Sequence, residues 1–376
     1  MSLRYLLQGQ LAYMKSQGFK ILAISSDGPE REQVIKHEKV AHHVVPFTRA
    51  ITPWQDLICL LMLIKLFRKT KPDIVHTHTP KAGLLGMWAA WFTGVPVRMH
   101  TVAGLPWMET KGLKRILLWN MERLTCFFAT GVYPNSFVQM KFLKENKIGQ
   151  NGKLKVIGQG SSNGIDVEKF APAKELQEEA MKARQGLDIS MDDLVFIFIG
   201  RIVKDKGINE LVSAFRNLRK EYDNIHLILV GPFENDLDPV NDQTSREIEE
   251  NPGIHAVGFQ EDVRPWLLAA DVLTFPSYRE GFPNVPMQAG AMGLPAVVTD
   301  INGCNEIIKH NINGLIVPPK DEPALKEAME LLINDDKLRH RLASNARESI
   351  VSRFDRNLIW QGLLTEYQNH LSKNES

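Results

Sequence analysis

Short, unbroken runs of apolar and β-branched residues recur along the chain, most clearly LVFIFIG at 194–200 and HLILVG at 226–231, with helical stretches between them. A run without polar alternation is how a strand reads when both of its faces are covered. Strands are predicted at Phe19–Ser25, His42–Pro46, Asp73–Thr77, Val95–Thr101, Phe127–Pro134 and Leu154–Gly158. A second series follows at Leu194–Ile199, His226–Val230, Ile254–Gly258, Val272–Pro276, Pro295–Thr299 and Gly314–Val317. Between them, stretches such as Asn209–Tyr222 set Leu211, Val212, Phe215 and Leu218 at helical spacing. Strand–helix alternation of this kind calls for parallel sheets with helices on both faces.

At 376 residues the chain is too long for one core. Gly, Asp and Pro interrupt the pattern near Asn163–Lys174, so two α/β Rossmann-like parallel-sheet domains facing a cleft are expected. Their bounds are set at 1–165 and 166–354, and the apolar spacing of Leu358, Ile359, Leu363 and Tyr367 gives a closing helix in 355–376 that returns to the first domain. One feature is unusual for a doubly wound domain: a helix is predicted over Tyr5–Gln17, where a strand and a glycine-rich turn normally open the fold.

Composition narrows the class. Hydrophobic residues make up 44% and charged ones 24%, which excludes a disordered or collagen-like chain. Cys59, Cys126 and Cys304 are too far apart for a metal knuckle and fit a reducing compartment. The apolar run Leu57–Ile64 is too short to cross a bilayer, and no signal peptide is read at the start, so a cytoplasmic location is expected. The charge is uneven: residues 1–170 hold 23 Lys and Arg against 11 Asp and Glu, and the remainder holds 22 against 33. Such asymmetry points the first half toward an anionic partner, unless it reflects only two differently solvated surfaces.

Two segments of the second half carry chemistry. GRIVKDKG (200–207) follows a buried strand, and there Gly200 permits a tight turn while Arg201 and Lys206 can converge on one anion. A forked guanidinium and a mobile ammonium together suit a diphosphate. YREGFPNVPMQAGAMGLP (278–295) follows the strand VLTFP, with Glu280 in the loop, backbone amides at Phe282, Pro283, Asn284 and Val285 opening a helix, and Gln288 on that helix. Pro283 itself has no amide proton, so the donors of that stretch are its neighbours.

Together the segments resemble the donor-binding signature of retaining, GT-B-fold glycosyltransferases of family 4, a GR…KG pair followed by a Glu-x7-Glu motif. The resemblance implies that Arg201 and Lys206 hold the diphosphate of a nucleotide sugar, a UDP-sugar by expectation, and that Glu280 meets hydroxyls of the transferred sugar. Where the family has a second glutamate for the ribose, this chain has Gln288, a neutral acceptor in place of a charged one. SSNGIDVEKF (161–170) resembles the interdomain stretch in which Asn163 and Gly164 approach the donor. The resemblance further implies same-face departure, the leaving diphosphate helping to deprotonate the incoming hydroxyl, with no metal or other cofactor. Asp236-Leu-Asp238 matches a metal–nucleotide string of another transferase fold, but its polar loop after GPFEN reads as surface. No GxGxxG follows a strand, which argues against a nicotinamide enzyme.

In the first half, DIVHTHTPKAGLLG (73–86) sets His76, His78 and Lys81 at a strand end. Two histidines at i and i+2 point the same way, but no third metal ligand accompanies them. The likeness is nearest to capsule, O-antigen and lipid-linked oligosaccharide transferases, which makes these residues acceptor-side and gives Lys81 an acceptor pyrophosphate; packing histidines and a solvated lysine are the alternative. In RMHTVAGLPW (98–107), His100 would reach the cleft and position or deprotonate the acceptor hydroxyl. The expected partners are a nucleotide-sugar donor and a glycan or polyprenyl-diphosphate acceptor, with no nucleic acid. A sugar-nucleotide 2-epimerase of the same fold, or a non-catalytic nucleotide-sugar sensor, stands as the competing reading. Finally, Lys65, Arg68, Lys69 and Lys71 end the apolar helix Leu57–Phe67, and Lys111, Lys114, Arg115 and Arg123 punctuate Leu113–Phe128. That pattern suits peripheral association with an anionic membrane face, against the alternative that both apolar faces simply pack on the first sheet.

Overall fold

The computed structural model describes residues 2–48, 50–108, 110–149, 152–234 and 238–375. The chain divides into two compact units, Met1–Gly164 together with Arg356–Ser376, and Ile165–Asp355.

The first unit holds β1 (Leu22–Ser25), β2 (Ala41–Val44), β3 (Ile74–Thr77), β4 (Val97–Val102) and β5 (Gly131–Pro134). β1 and β2 pair in parallel, and β3, β4 and β5 form a separate parallel sheet. One face of that sheet packs against helices Pro53–Thr70, Pro80–Phe92 and Gly112–Phe128 through Leu63, Phe67, Leu85, Met87 and Val102. On the other face Val97, Met99 and Tyr133 meet Met14 and, from the closing helix Arg356–Glu375, Leu363 and Tyr367.

Three expectations need correction here. The predicted strand Leu154–Gly158 is reduced to an isolated bridge between Leu154 and Val132. The run from Phe127 reads as strand because it is aromatic and apolar, yet helix Gly112–Phe128 continues through it and β5 begins only at Gly131. The opening helix is two helices, Ser2–Leu6 and Gln10–Ser16, separated at Gly9 (φ 82°), where an added Cβ would lie 2.8 Å from the Trp360 ring.

The second unit holds β6 (Leu194–Ile199), β7 (Ile225–Val230), β8 (Ile254–Gly258), β9 (Val272–Phe275), β10 (Ala296–Thr299) and β11 (Gly314–Val317), close to their predicted places. They form one parallel sheet in the order β11-β10-β9-β6-β7-β8. Every residue of β6, β7, β9 and β10 is buried, which accounts for the unbroken apolar runs. The strand order reverses between β6 and β9. The carboxyl ends of strands at such a reversal are the favoured ligand position in open α/β sheets.

Two histidines inside this unit pair with each other and with a carboxylate. His226 shares its Nδ1 with His255 Nε2 at 3.0 Å and its Nε2 with Asp193 Oδ2 at 3.1 Å. Burial, and then the neighbouring His226, push His255 down to about 4. An unfolded histidine takes up its proton near pH 6.5, before the folded one does, so stability present above that pH drains away as pH falls toward 4. Thermal unfolding of the second unit should lose midpoint over that window, and His255→Gln should flatten the loss; an identical slope in the variant would rule the pair out as its origin.

Candidate functional site

The segment after β6 is anchored before it offers any charge. Gly200 donates its amide to Val230 O at 2.9 Å, Ile202 donates to Pro232 O at 2.8 Å, and the Ile202 and Val203 side chains are buried. Arg201 and Lys204 point outward between these anchors, and a single 3-10 turn, Lys204–Lys206, leads through Gly207 into helix Ile208–Arg219. Gly207 has φ 73°, and an added Cβ would stand 2.1 Å from the carbonyl oxygen of Pro276. This missing side chain lets the loop after β6 lie directly on the end of β9. Across that contact Tyr278 donates its amide to Asp205 O at 2.9 Å, and Arg279 Nη2 pairs with Asp205 Oδ2 at 2.9 Å.

The same contact brings Lys206 and Glu280 together, 74 residues apart in the chain. Lys206 Nζ donates to Glu280 Oε1, and Ser277 Oγ donates to the same oxygen at 3.1 Å. Both charged side chains are mostly buried, and the Lys206 ammonium lies 6.0 Å from the Phe275 ring centroid. Asn302 holds the loop backbone by donating to Glu280 O at 3.1 Å and to Gly281 O. Cys304 is buried; burial pushes its thiol up and the charge of Glu280 adds to the effect, so it serves packing and not nucleophilic attack.

Arg201 is about half exposed and donates Nη1 to Glu234 Oε2 at 2.7 Å. That hydrogen bond pushes its pKa up, ahead of the opposing effect of burial. Phe282 is partly buried against Phe354, Pro283 is buried, Asn284 is exposed and Val285 packs on the core. Helix Asn284–Ala291 starts with Pro283 at its cap and no side-chain cap among the described residues, so its first amides stay open to an anion or hydroxyl. Gln288 is partly buried on that helix, and among the described residues its amide has no partner.

Two residues here escaped the sequence reading. Glu234 is the counter-ion of Arg201. Asp238 was read as surface, but it accepts the Asp205 amide at 2.7 Å through Oδ2 and the Lys204 amide at 3.0 Å through its carbonyl. It is a buttress for the basic turn, and the signal was the need of those turn amides for acceptors. Asp236 lies outside the described residues. Among the described residues no three His, Cys, Asp or Glu side chains converge as metal ligands.

The first-half candidates are differently placed. His76 is held at both nitrogens, 2.8 Å from Tyr367 Oη and 2.8 Å from Thr101 Oγ1. Its ring lies 4.2 Å from that of His78, as the i, i+2 spacing requires. His78 lines a small pocket with Gln10, Asn135 and Ser162; its Nδ1 is buried without a partner, and burial followed by the charge of His100 pushes it down to about 3. Although the ring is deeply surrounded, part of its surface opens to that pocket.

Three further candidates make internal contacts. Lys81 directs its ammonium at Asp56 Oδ1 (2.6 Å), Thr48 Oγ1 (2.7 Å) and Ala50 O, so its three protons clamp the 48–56 segment. His100 is 2% exposed instead of reaching a cleft. It lies under Gly83, bonds Thr77 Oγ1 at 2.8 Å and stands 3.6 Å from buried Glu122. Asn163 accepts from Trp360 Nε1 at 2.6 Å and donates to Gln8 O at 2.9 Å, tying both ends of the first unit; Gly164 beside it donates its amide to Ser161 Oγ at 3.0 Å.

A two-unit parallel α/β chain with cations and a carboxylate at a sheet's switch point is the architecture of nucleotide-sugar transferases, and the comparisons agree. Residues 179–349 match the "Glycosyl transferases group 1" family model and residues 5–160 the "Glycosyl transferase 4-like domain" model. The chain is 33% identical to the capsular polysaccharide biosynthesis glycosyltransferase CapM of Staphylococcus aureus, over 98% of this chain and 95% of that one. It is 30% identical to the Escherichia coli UDP-Gal:alpha-D-GlcNAc-diphosphoundecaprenol alpha-1,3-galactosyltransferase, over 84% and 80%. Among solved structures, Anabaena HepE in complex with UDP superposes with a TM-score of 0.79 at 20% identity, covering 93% of this chain and all of that one. The lipopolysaccharide glycosyltransferase WaaG gives 0.69 at 16% identity, over 94% and 92%. The chain belongs to this glycosyltransferase family and has its GT-B fold.

The close approach at Gly207 can be measured against a glycine of the same unit with similar φ and open space, Gly293 (φ 87°). Gly293→Ala should cost about 1–2 kcal/mol, the left-handed backbone term alone. Gly207→Ala should cost more, since the Pro276 carbonyl must move, and should weaken nucleotide binding as the two loops part. Urea unfolding of the second unit gives both values; equal costs would mean that the loop contact is soft.

Proposed function

We propose that this chain transfers a hexose from a UDP-sugar, with retention at the anomeric carbon, to a polyprenyl-diphosphate-linked acceptor in surface polysaccharide synthesis. The observation that carries the donor half is the meeting of Lys206 and Glu280 at the sheet's switch point, with Arg201 on the same loop as Lys206. In the absence of a donor, the two charges neutralise each other. A bound diphosphate would draw Lys206 and Arg201 toward itself and release Glu280 to accept from a sugar hydroxyl. Gln288 takes the ribose hydroxyls as a neutral acceptor.

In the reaction, the bond from C1 to the diphosphate oxygen breaks while a bond from C1 to the acceptor oxygen forms on the same face. The acceptor's proton passes to the departing phosphate oxygen. Arg201 and Lys206 stabilise the negative charge that grows on that group, an effect of roughly 3–4 kcal/mol per well-placed donor. Two cations make a divalent metal unnecessary in this scheme. His78, with the open pocket beside it, is the first-unit residue we assign to the acceptor side. The acceptor reading is supported by the relatives, since the E. coli enzyme acts on a diphosphoundecaprenol-linked sugar. A Campylobacter jejuni relative, 30% identical over 86% of this chain and 84% of its own, is named for N,N'-diacetylbacillosaminyl-diphospho-undecaprenol.

Transfer from a panel of UDP-sugars to short-chain prenyl-diphosphate sugars is the direct test, with product stereochemistry read by NMR. Arg201→Ala and Lys206→Ala should each lower kcat/KM by about 100-fold or more. Activity should survive EDTA, and loss restored by magnesium would refute the metal-free scheme. Conversion of a UDP-sugar to its epimer without any acceptor would replace transfer with epimerisation.

Gln288→Glu should keep activity and tighten UDP binding by calorimetry, because a carboxylate accepts a ribose hydroxyl bond more strongly than an amide does. An affinity unchanged in both Gln288→Glu and Gln288→Ala would remove this residue from the ribose site.

A further inference from the structure

The Lys206–Glu280 bond joins the loop after β6 to the loop after β9, and the scheme above gives it up when a donor binds. From then on Glu280 keeps its place only if something else ties the two loops. A displacement of about 1 Å is enough to cost a catalytic group most of its effect.

Other contacts cross between the two segments. The Tyr278 amide donates to Asp205 O at 2.9 Å. Arg279 pairs with Asp205 at 2.9 Å, but its side chain is more than half exposed, and an ion pair in water adds little. The Tyr278 hydroxyl makes a firmer tie, 2.6 Å from Glu210 Oε1 and 2.7 Å from Glu210 Oε2. Both side chains are partly buried. A hydroxyl that donates to a carboxylate forms a charge-assisted bond, roughly twice as strong as a neutral one.

Local structure sets up this bond from both sides. Glu210 lies in the first turn of helix Ile208–Arg219, which leaves the basic loop directly after Lys206 and Gly207. The positive end of a helix favours a carboxylate there. Tyr278 stands two residues before Glu280, and every part of it is anchored. Thr299 of β10 donates to Ser277 O, which fixes the backbone just before it. From the loop after β11, the Lys320 ammonium lies 4.8 Å from the centroid of its ring. Burial, and then the bond to Glu210, push the phenol well above its usual range, so it keeps the proton it donates.

We infer that Tyr278 and Glu210 are positioning residues for the transfer: their hydrogen bond holds the loop after β9 against the start of helix Ile208–Arg219, so that Glu280 stays at the transferred sugar once Lys206 has moved to the diphosphate. The inference rests on the donor reading proposed above and adds to it the tie by which the two loops exchange partners without losing register. Its consequence is selective. The bond serves the sugar through Glu280, while Arg201 and Lys206 hold the diphosphate with or without it.

The experiment is calorimetry with UDP, UDP-glucose and UDP-galactose, paired with steady-state transfer, on wild type, Tyr278→Phe, Glu210→Ala, Glu210→Gln and the double variant Tyr278→Phe/Glu210→Ala. Tyr278→Phe keeps the ring beside Lys320 and removes only the hydroxyl. It and Glu210→Ala should each leave UDP affinity within about twofold of wild type. Each should weaken the hexose donor that wild type binds more tightly by about fivefold and lower kcat by about tenfold. The double variant should be no worse than either single one, because the same bond is lost in all three. Glu210→Gln, which keeps an acceptor for the hydroxyl, should recover most of the kcat.

A bond that served stability alone would lower the unfolding midpoint and weaken all three ligands alike, and that result overturns the inference. Additive losses in the double variant do the same. Should Glu210→Ala lose its native circular dichroism, Tyr278→Phe, smaller by one oxygen atom, decides. A wild type that binds UDP and transfers, matched in full by Tyr278→Phe, refutes the positioning bond and leaves the function standing. A wild type that binds none of the three ligands refutes the donor reading, and the positioning role falls with it.

Discussion

Burial of both sheet faces governs where chemistry can occur in this protein. With β6, β7, β9 and β10 buried along their whole length, a charged side chain has no place on them without a costly partner. Charge is therefore displaced to the strand ends. At the one position where the strand order reverses, two such ends stand side by side. Gly207 then removes the last obstacle by letting backbone meet backbone, and the Lys206–Glu280 pair follows from that contact. Asp238, Asn302 and Ser277 hold the loops in this arrangement without needing to touch a ligand themselves.

The first unit answers the same constraint in another way. Its sheet carries His76 on β3 and His100 on the central β4, and each faces a polar group from a covering helix, Tyr367 for the one and Glu122 for the other. Lys81 and Asp56 form a similar internal pair between two helices. Drawing these polar groups inward leaves the outer faces of the same helices with their apolar residues and most of their cations. Eight of the 23 Lys and Arg of residues 1–170 border that apolar surface, and the acidic residues of the same helices, Asp56 and Glu122, are engaged within the unit.

Much of the strand pattern was legible, because fully covered parallel strands write themselves as apolar runs. It failed where local composition and tertiary packing disagree. The apolar content of Leu154–Gly158 suggested a strand, but only Leu154 finds a ladder partner. Phe127 and Phe128 have the composition of a strand, yet they close a helix whose aromatic end packs on Trp88 and Trp91. At the site, Gly200–Gly207 and Tyr278–Pro295 were recognisable from residue type and position after a strand. Their mutual pairing was not, since 74 residues separate Lys206 from Glu280 and no local pattern states their distance.

The sequence by itself determined the α/β class, the division into two parallel-sheet units and the family, because apolar periodicity and short motifs are local properties of the chain. Tertiary structure alone decided which partners these polar residues meet. His100, Lys81 and Asn163 stand in motif-like positions but make their hydrogen bonds with Thr77, Asp56 and Trp360, partners remote in sequence. It also decided which face of helix Gly112–Phe128 is inside: Leu118, Trp119 and Cys126 pack on the core while Leu113 and Phe127 are exposed, a choice that the apolar pattern left open. Glu122 on the buried side stands 3.6 Å from His100, a neighbour that no reading confined to the helix contains.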